Sequence, residues 1–336
     1  MSTSSPHTHS DNAVATIMRK VLYALIPGIL LSTYFFGIGV LVNCVLATAF
    51  ALILEASILK IRRQTIRPVI TDGTAIITAI LFALTISPYT PWWATFTGIA
   101  FAIVIAKHLF GGLGNNPFNP AMAGYVFVLL SFPVQMAYWP DLSGLTEQGL
   151  TIGQSISIIF SGLPIELDAV SGATPLTNMK LELGLMTMVP EIKSSPLYGT
   201  FGGTDWEWVA MAYLAGGIFL IINKVIRWEI PLCVLGSIFI VSLLFNFIDT
   251  DVFPSALFHL LTGGTMLCAF FIATDPASSS TTPRGKIIYG IGVGLFIYVI
   301  RTWGSYPDGI AFAILIMNGI VPLIDYYTRP KALGEK

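Results

Sequence analysis

From residue 21 to residue 58 the chain reads VLYALIPGILLSTYFFGIGVLVNCVLATAFALILEASI, an almost unbroken apolar run. A helix needs roughly 20 such residues to cross a bilayer, so this run holds two crossings, joined at the glycine-flanked turn around Gly37 and Gly39. No water-soluble domain could cover that much continuous apolar surface. Further runs of spanning length fall near 73–88, 92–110, 120–139, 206–223, 231–248, 254–273, 286–302 and 309–327. The expectation is therefore an all-α polytopic membrane protein with about ten transmembrane helices. Composition agrees: of 336 residues, 54% are hydrophobic and only 10% charged, against about 25% charged in an average soluble protein, and the mean hydropathy is +0.78.

The same composition excludes several functions. A net charge of −1, with basic residues scattered near the ends of apolar runs, offers no continuous positive surface for nucleic acid. Cys44, Cys233 and Cys268 each sit inside an apolar run, without the paired spacing that holds an iron–sulfur cluster or structural zinc. No metal site is expected. His7 and His9 lie in a polar tail, and His108 and His259 alone are too few for the paired ligands of a membrane haem. An electron carrier here would have to be organic. The polar N-terminus, residues 1–20, precedes an apolar stretch far longer than the ~7–15 residues of a cleavable signal, so the first span is expected to be retained.

Orientation follows from charge. With both termini cytoplasmic, all but three of the 17 lysines and arginines fall inside, the exceptions being Lys180, Lys193 and Arg301. That asymmetry orients the chain and puts the long polar segment 140–205 on the outer face. The division expected is a cytoplasmic tail (1–20), a first five-helix repeat (21–139), the outer loop (140–205), a second five-helix repeat (206–328) and a cytoplasmic tail (329–336). The repeat is visible in the residues: DGTAIITAILFALTISP (72–88) resembles GGTMLCAFFIATDP (263–276). Each is followed by an apolar span and a basic residue, Lys107 or Arg301, and then by a Gly/Pro-rich break. Because five is odd, the second copy enters from the opposite face, an inverted repeat of the transporter kind. Its interrupted spans mark a central pathway, so Asp72 and Asp275 become candidates for handling an ion. Glu55 and Asp325, like these two, fall near span ends, where an acid can reach water at little cost.

Within the outer loop, DAVSGATPLT (168–177) stands out. Gly172 and Ala173 leave the Thr174 hydroxyl sterically open between Ser171 and Pro175, a proline expected to stop the segment from continuing as a helix. Such a hydroxyl is a nucleophile only if a base activates it. The loop contains no histidine, so an external enzyme would have to act on it, although an ordinary turn accounts for the run as well.

DAVSGATPLT matches the motif at which a flavin transferase takes FMN from FAD and joins its phosphate to the final threonine, here Thr174. TDGTAIITAILFALTISPYTPWW (71–93), FGGLGNNPFNPAMAGYVFVLLSFP (110–133) and FFIATDPASSSTTPRGK (270–286) extend the match over nearly the whole chain beyond its N-terminal tail. The chain resembles the RnfD family, the D subunits of Rnf electron-transport complexes, relatives of the B subunit of the sodium-translocating NADH:quinone reductase. The resemblance implies a subunit, inactive alone, of a redox-driven pump in the bacterial inner membrane. It would relay electrons between ferredoxin and NAD through covalent FMN, coupled to movement of sodium ions or protons, and the resemblance allows a non-covalent riboflavin as well. It implies partners: membrane iron–sulfur subunits, a periplasmic flavin subunit, cytoplasmic ferredoxin/NADH subunits and the transferase. Ser171 and Thr177 would then hydrogen-bond the FMN phosphate beside Gly172 and Ala173, Asp168 would help the transferase recognise the loop or bring it magnesium, and no residue of this chain is expected to be catalytic. A passive channel for a small neutral solute of the urea or ammonium type also explains the repeat but leaves the threonine idle. Asn115, Asn116 and Asn119 fit either a flavin ring or simple helix-start chemistry. Trp92, Trp93, Trp206 and Trp208 are expected to anchor the outer interface.

Overall fold

In a computed structural model of the chain, residues 11–140, 151–161 and 171–329 are described. Asp11–Phe36 (α1) ends at Gly37, whose φ of 89° makes the expected turn, and Gly39–Ile61 (α2) runs back. A Cβ on Gly39 would collide with the Pro88 carbonyl. Glycine therefore serves as both hinge and contact there. Ile66–Ile70 (α3) leads through Gly73, at φ 83°, into Thr74–Thr85 (α4). Trp92–Ala100 (α5) continues without a break into a π-helical segment, Phe101–Leu109.

Pro120–Ser131 (α6), Pro133–Ala137 (α7) and the two-residue strand Trp139–Pro140 (β1) close the first half. Between the halves lie Ile152–Ser161 (α8), strand Ser171–Gly172 (β2), Pro175–Gly184 (α9) and Val189–Ile192 (α10). The second half holds Trp206–Ile222 (α11), Glu229–Ile248 (α12), Ala256–Leu261 (α13) and Thr265–Leu267 (α14), which runs into a π-helical turn, Cys268–Ile272. Pro283–Trp303 (α15) and Ile310–Thr328 (α16) complete it.

Among the described residues, seven helical stretches are long and apolar enough to cross a membrane. The other three expected spans are occupied by the shorter α6 and α11 and by the interrupted α13–α14, broken at Thr262–Gly264 where the sequence places Gly263 and Gly264. The halves repeat their neighbours. The second helix packs on the broken third span and on the fourth in each (α2 on α4 and α5; α12 on α13 and α15), and the fourth packs on the fifth. Across the halves, first span faces first (α1 with α11) and fifth faces fifth (α6 with α16). Tyr289, Tyr298, Phe82 and Leu25 are sealed inside, while Tyr34, Ile53, Phe247 and Ile248 face outward from the bundle, as a lipid-facing surface requires.

The segment between the halves is a folded cap. Leu176, Met179, Val189, Ile192 and Tyr198 form a small core of their own that includes Phe258 of α13, which fastens the cap to the bundle. The antiparallel pair β1–β2 puts Trp139 opposite Gly172 and Pro140 opposite Ser171, so the end of the first half sets the height of the following threonine.

Candidate functional site: a capped threonine above one cavity, a buried lysine beside another

Thr174 is the N-cap of α9. With φ −64° and ψ 155° it is extended, and its Oγ1 accepts from the Thr177 amide at 3.2 Å. Oγ1 also shares a 2.8 Å hydrogen bond with the Thr177 hydroxyl. Pro175 occupies the first helical position, where its missing N–H costs nothing and its φ suits the helix. The expectation that Pro175 stops a helix is thus corrected: it starts one. Ser171 and Gly172 belong to β2, Ala173 is exposed, and Asp168 lies outside the described residues.

Two tethers hold α9. Tyr198 Oη donates to Asn178 Oδ1 at 2.7 Å and lies 3.2 Å from the Pro175 carbonyl. Lys180 Nζ donates to the carbonyls of Ile300, Arg301 and Tyr306 at 3.3, 3.0 and 2.9 Å. Two of these carbonyls belong to the last turn of α15, where a cation meets the negative end of the helix dipole. Burial pulls the Lys180 ammonium below the usual lysine range and pushes the Tyr198 phenol above its own.

Thr174 and Thr177 line a cavity of about 340 Å³. Its walls include Trp139, Trp206, Tyr125 and the break Thr262–Gly264 of the eighth span. The Trp206 ring lies 5.4 Å from Trp139 and 4.7 Å from Phe36, centroid to centroid, and its Nε1 is buried without a partner among the described residues. Trp206 is therefore a cavity wall and not the interface anchor expected, whereas Trp92 and Trp208 are exposed. At the break, Gly263 has φ 71°, and Arg301 stands beside it. Arg301 is buried, paired with Asp308 at 3.1 Å and donating to the His259 carbonyl at 2.7 Å.

A second cavity, about 370 Å³, opens at the end of the bundle away from the cap, among the starts of α1 and α6. Thr74, Lys107, Asn116, Asn119 and Asp275 line it. The two breaks thus face opposite ends of the bundle, as a repeat inverted in the membrane requires. Asp72 sits just ahead of α4, where its Oδ1 accepts from the Thr74 amide and hydroxyl, both at 2.7 Å. Asp275 accepts from the Ser278 hydroxyl at 2.7 Å, and Asn119 is the N-cap of α6.

Lys107, counted by charge among the cytoplasmic basic residues, is sealed inside the bundle. It is 3% exposed, its Nζ 2.6 Å from Glu55 Oε1 and 2.9 Å from Thr74 Oγ1. Glu55, expected to reach water at a span end, is fully buried and also meets His108 Nε2 at 3.1 Å. An acid within LILEASI and a lysine within VIAKHLF are the only sequence signals for this cluster. An ionisable residue at membrane depth ordinarily finds an internal partner, so each could have been sought as the other's.

Comparison with known proteins fits this geometry. The chain is 47% identical to the D subunit of the ion-translocating oxidoreductase complex of Aliivibrio salmonicida (strain LFI1238), covering 99% of this chain and 98% of that protein. It is 45% identical to the protein of the same name from Vibrio cholerae serotype O1 (strain ATCC 39315 / El Tor Inaba N16961) and 44% identical to that of Aeromonas salmonicida (strain A449), over the same shares. The family described as NQR2, RnfD, RnfE matches residues 1–334. The family match over residues 1–334 and identities of 44–47% over nearly the full length of both chains show that the chain belongs to the NQR2, RnfD, RnfE family.

Proposed function

We propose that this chain is a membrane subunit of a redox-driven ion pump, working within an ion-translocating oxidoreductase complex and carrying FMN esterified to Thr174. The observation that carries the reading is the position of the Thr174 hydroxyl. It caps a ten-residue helix and lines a largely apolar cavity, of a size at the lower end of the ~300–1,000 Å³ typical of cofactor sites. The residues present suit the group. A phosphate on Oγ1 sits at the positive end of α9, with Thr177 as donor and Ser171, Gly172 and Ala173 supplying little bulk. Trp139, Tyr125 and Trp206 offer aromatic walls, and the unpartnered Trp206 Nε1 is a donor awaiting an acceptor. Bound there, the isoalloxazine supplies the electron chemistry, and the protein supplies position and electrostatics.

In this reading a flavin transferase delivers FMN from FAD: Oγ1 attacks the phosphorus, AMP leaves, and the transferase's base takes the hydroxyl proton. Asp168 serves recognition of the loop by that enzyme. The cap is periplasmic, both termini are cytoplasmic, and the bilayer is the bacterial inner membrane, in keeping with the asymmetry of basic residues. Partner subunits with iron–sulfur and flavin carriers bring electrons from ferredoxin or NADH. A non-covalent riboflavin occupies the second cavity, which Asn116 and Asn119 line with their amides held by the carbonyls of Phe118 and Ile272. Asp72 and Asp275, at and near that cavity, belong to the path of a sodium ion or proton. A passive solute channel would use the repeat but give Thr174 no task.

Co-expression with the transferase tests the assignment. After denaturing electrophoresis the band should fluoresce under ultraviolet light, Thr174→Ser should retain the signal, and Thr174→Ala should abolish it. A fluorescent Thr174→Ala band would sink the proposal. Solute flux in proteoliposomes without an electron donor would favour the channel instead.

A further inference from the structure

Helix α9 runs from the centre of the molecule to its rim. Its N-cap, Thr174, stands over the first cavity, and Lys180, at mid-helix, is tied to the end of α15. Just past its far end the Val189 amide donates at 2.8 Å to the carbonyl of Asp251, in the loop that follows α12. The stretch between, Leu185–Met188, therefore turns at the rim of the second half, next to the end of α12 nearer the cap.

That turn is fully hydrogen-bonded and uncharged. The Leu185 amide donates to the carbonyls of Leu181 and Glu182, that of Met186 to Leu183 and that of Thr187 to Glu182, all at 3.0–3.1 Å. The Thr187 hydroxyl adds a bond to Glu182 Oε2 at 3.2 Å. This closure puts Met186 in the left-handed region, at φ 65°, where glycine is usual because a side chain is strained there. In place of glycine the turn presents a methionine that is 91% exposed, beside Leu185 at 74%, with Leu181 and Met188 exposed as well. None of these four belongs to the cap's own core, which takes Leu176, Met179 and Val189 from the same segment.

The neighbours of the turn indicate what covers it. Phe247 and Ile248, the last residues of α12, are 91% and 75% exposed and belong to the lipid-facing surface of a spanning helix. Val252, next to the bonded Asp251, is exposed too. Trp303, more than half exposed at the end of α15, packs on Phe245 and Phe253 around the same loop, and an amphipathic ring at a span end marks the level of the membrane interface. Apolar surface thus continues from the bilayer onto the cap. Charge nearby is carried by Glu182, Glu191, Asp249 and Asp251, all at least partly exposed, which limits insertion to the interface.

We propose that the Leu185–Met188 turn, with Leu181, is seated in the lipid leaflet on the cap's side. Transfer of its apolar side chains out of water drives the contact, and flexible methionines suit a partner without fixed shape. None of the four side chains is basic, so attachment depends on apolar area and not on anionic lipid. A turn anchored in this way fixes the depth of one end of α9 and, through the helix, that of Thr174. The anchor does not depend on whether Thr174 carries FMN.

A nitroxide on Met186→Cys tests this, both in the full chain in phosphatidylcholine vesicles and in the whole complex. Cys44 and Cys268 are buried, and labelling of the unmutated chain gives the background from Cys233. Relaxation by oxygen, which concentrates in lipid, is compared with relaxation by a water-soluble nickel chelate. Phe247→Cys serves as the lipid reference and Thr200→Cys, at an exposed cap position, as the water reference. At position 186 oxygen should outweigh the chelate several-fold, as at 247, in both preparations, and adding phosphatidylglycerol should leave the ratio unchanged. Leu185→Cys reads the same surface if a label at 186 disturbs the turn. Chelate access equal to that at 200 overturns the proposal. So does a label shielded from both reagents in the complex, because a partner subunit then covers the turn.

Discussion

Thr174 uses one oxygen for two purposes, capping α9 and, in the proposed function, holding FMN. Esterification removes its hydroxyl hydrogen, so in the modified protein the 2.8 Å contact with Thr177 survives only with Thr177 as donor. Thr177→Val should therefore leave the ester in place but loosen the start of α9 by about 0.5–1.5 kcal/mol, seen as faster amide exchange in residues 177–180. The small residues Gly172 and Ala173 beside Thr174 were legible in the sequence. The capping role was not, because it depends on Pro175 continuing into a helix, and a proline before an uncommitted segment is compatible with a stop or a start. The buried cluster was hidden for a different reason. A lysine two or three residues from a span end can snorkel to water or turn inward, and the presence of Glu55 on the facing helix decides. With both charges nearly sealed from solvent, Lys107→Met should cost roughly 3–5 kcal/mol by leaving an uncompensated carboxylate. Glu55→Gln added to it should restore most of the loss, and thermal melts in detergent would show whether it does.

At the level of helices, the apolar runs placed the spans well because length alone distinguishes a crossing from a core helix. What run length does not reveal is which helices touch. α15 lies on α12 through Gly290 and Gly294, where a Cβ at Gly294 would collide with Ser237 Oγ and the Val234 carbonyl. Small residues four apart permit such close packing in lipid, where no hydrophobic force draws helices together. Gly294→Leu should consequently separate the pair, destabilising the protein by about 1–3 kcal/mol, read as a lower melting temperature in detergent with helix content retained.

The cap makes a separate prediction. Burial raises the Tyr198 phenol above its ordinary value, so this group's contribution to stability is complete below the unfolded value of about 10 and declines as pH rises beyond it. Alkaline loosening of α9, followed by hydrogen exchange, should be blunted in Tyr198→Phe, which would itself cost about 1 kcal/mol at neutral pH. The π-helical stretches, in contrast, left no periodicity signal, since one residue of slippage within an all-apolar span changes nothing that hydropathy measures.

Over the whole molecule, two cavities at opposite ends, each beside a glycine break and a buried cation from the following span, are the physical form of the repeat. If each accepts a flavin, Thr174→Ala should lower the flavin content of this subunit without abolishing it, and acid extraction should release what remains. The sequence by itself determined the lipid-soluble class, the places where spans begin and break, the twofold repetition and the small-residue run at Thr174, because these depend on run length, glycine, proline and local motif. Only the tertiary structure decided that Trp206 walls a cavity, that Lys180 ties α9 to the end of α15, and that Glu55, Lys107 and His108 share one carboxylate oxygen. The polar contacts among these join residues from 52 to 126 positions apart, and their partners are selected by the geometry of helix packing, which no local pattern encodes.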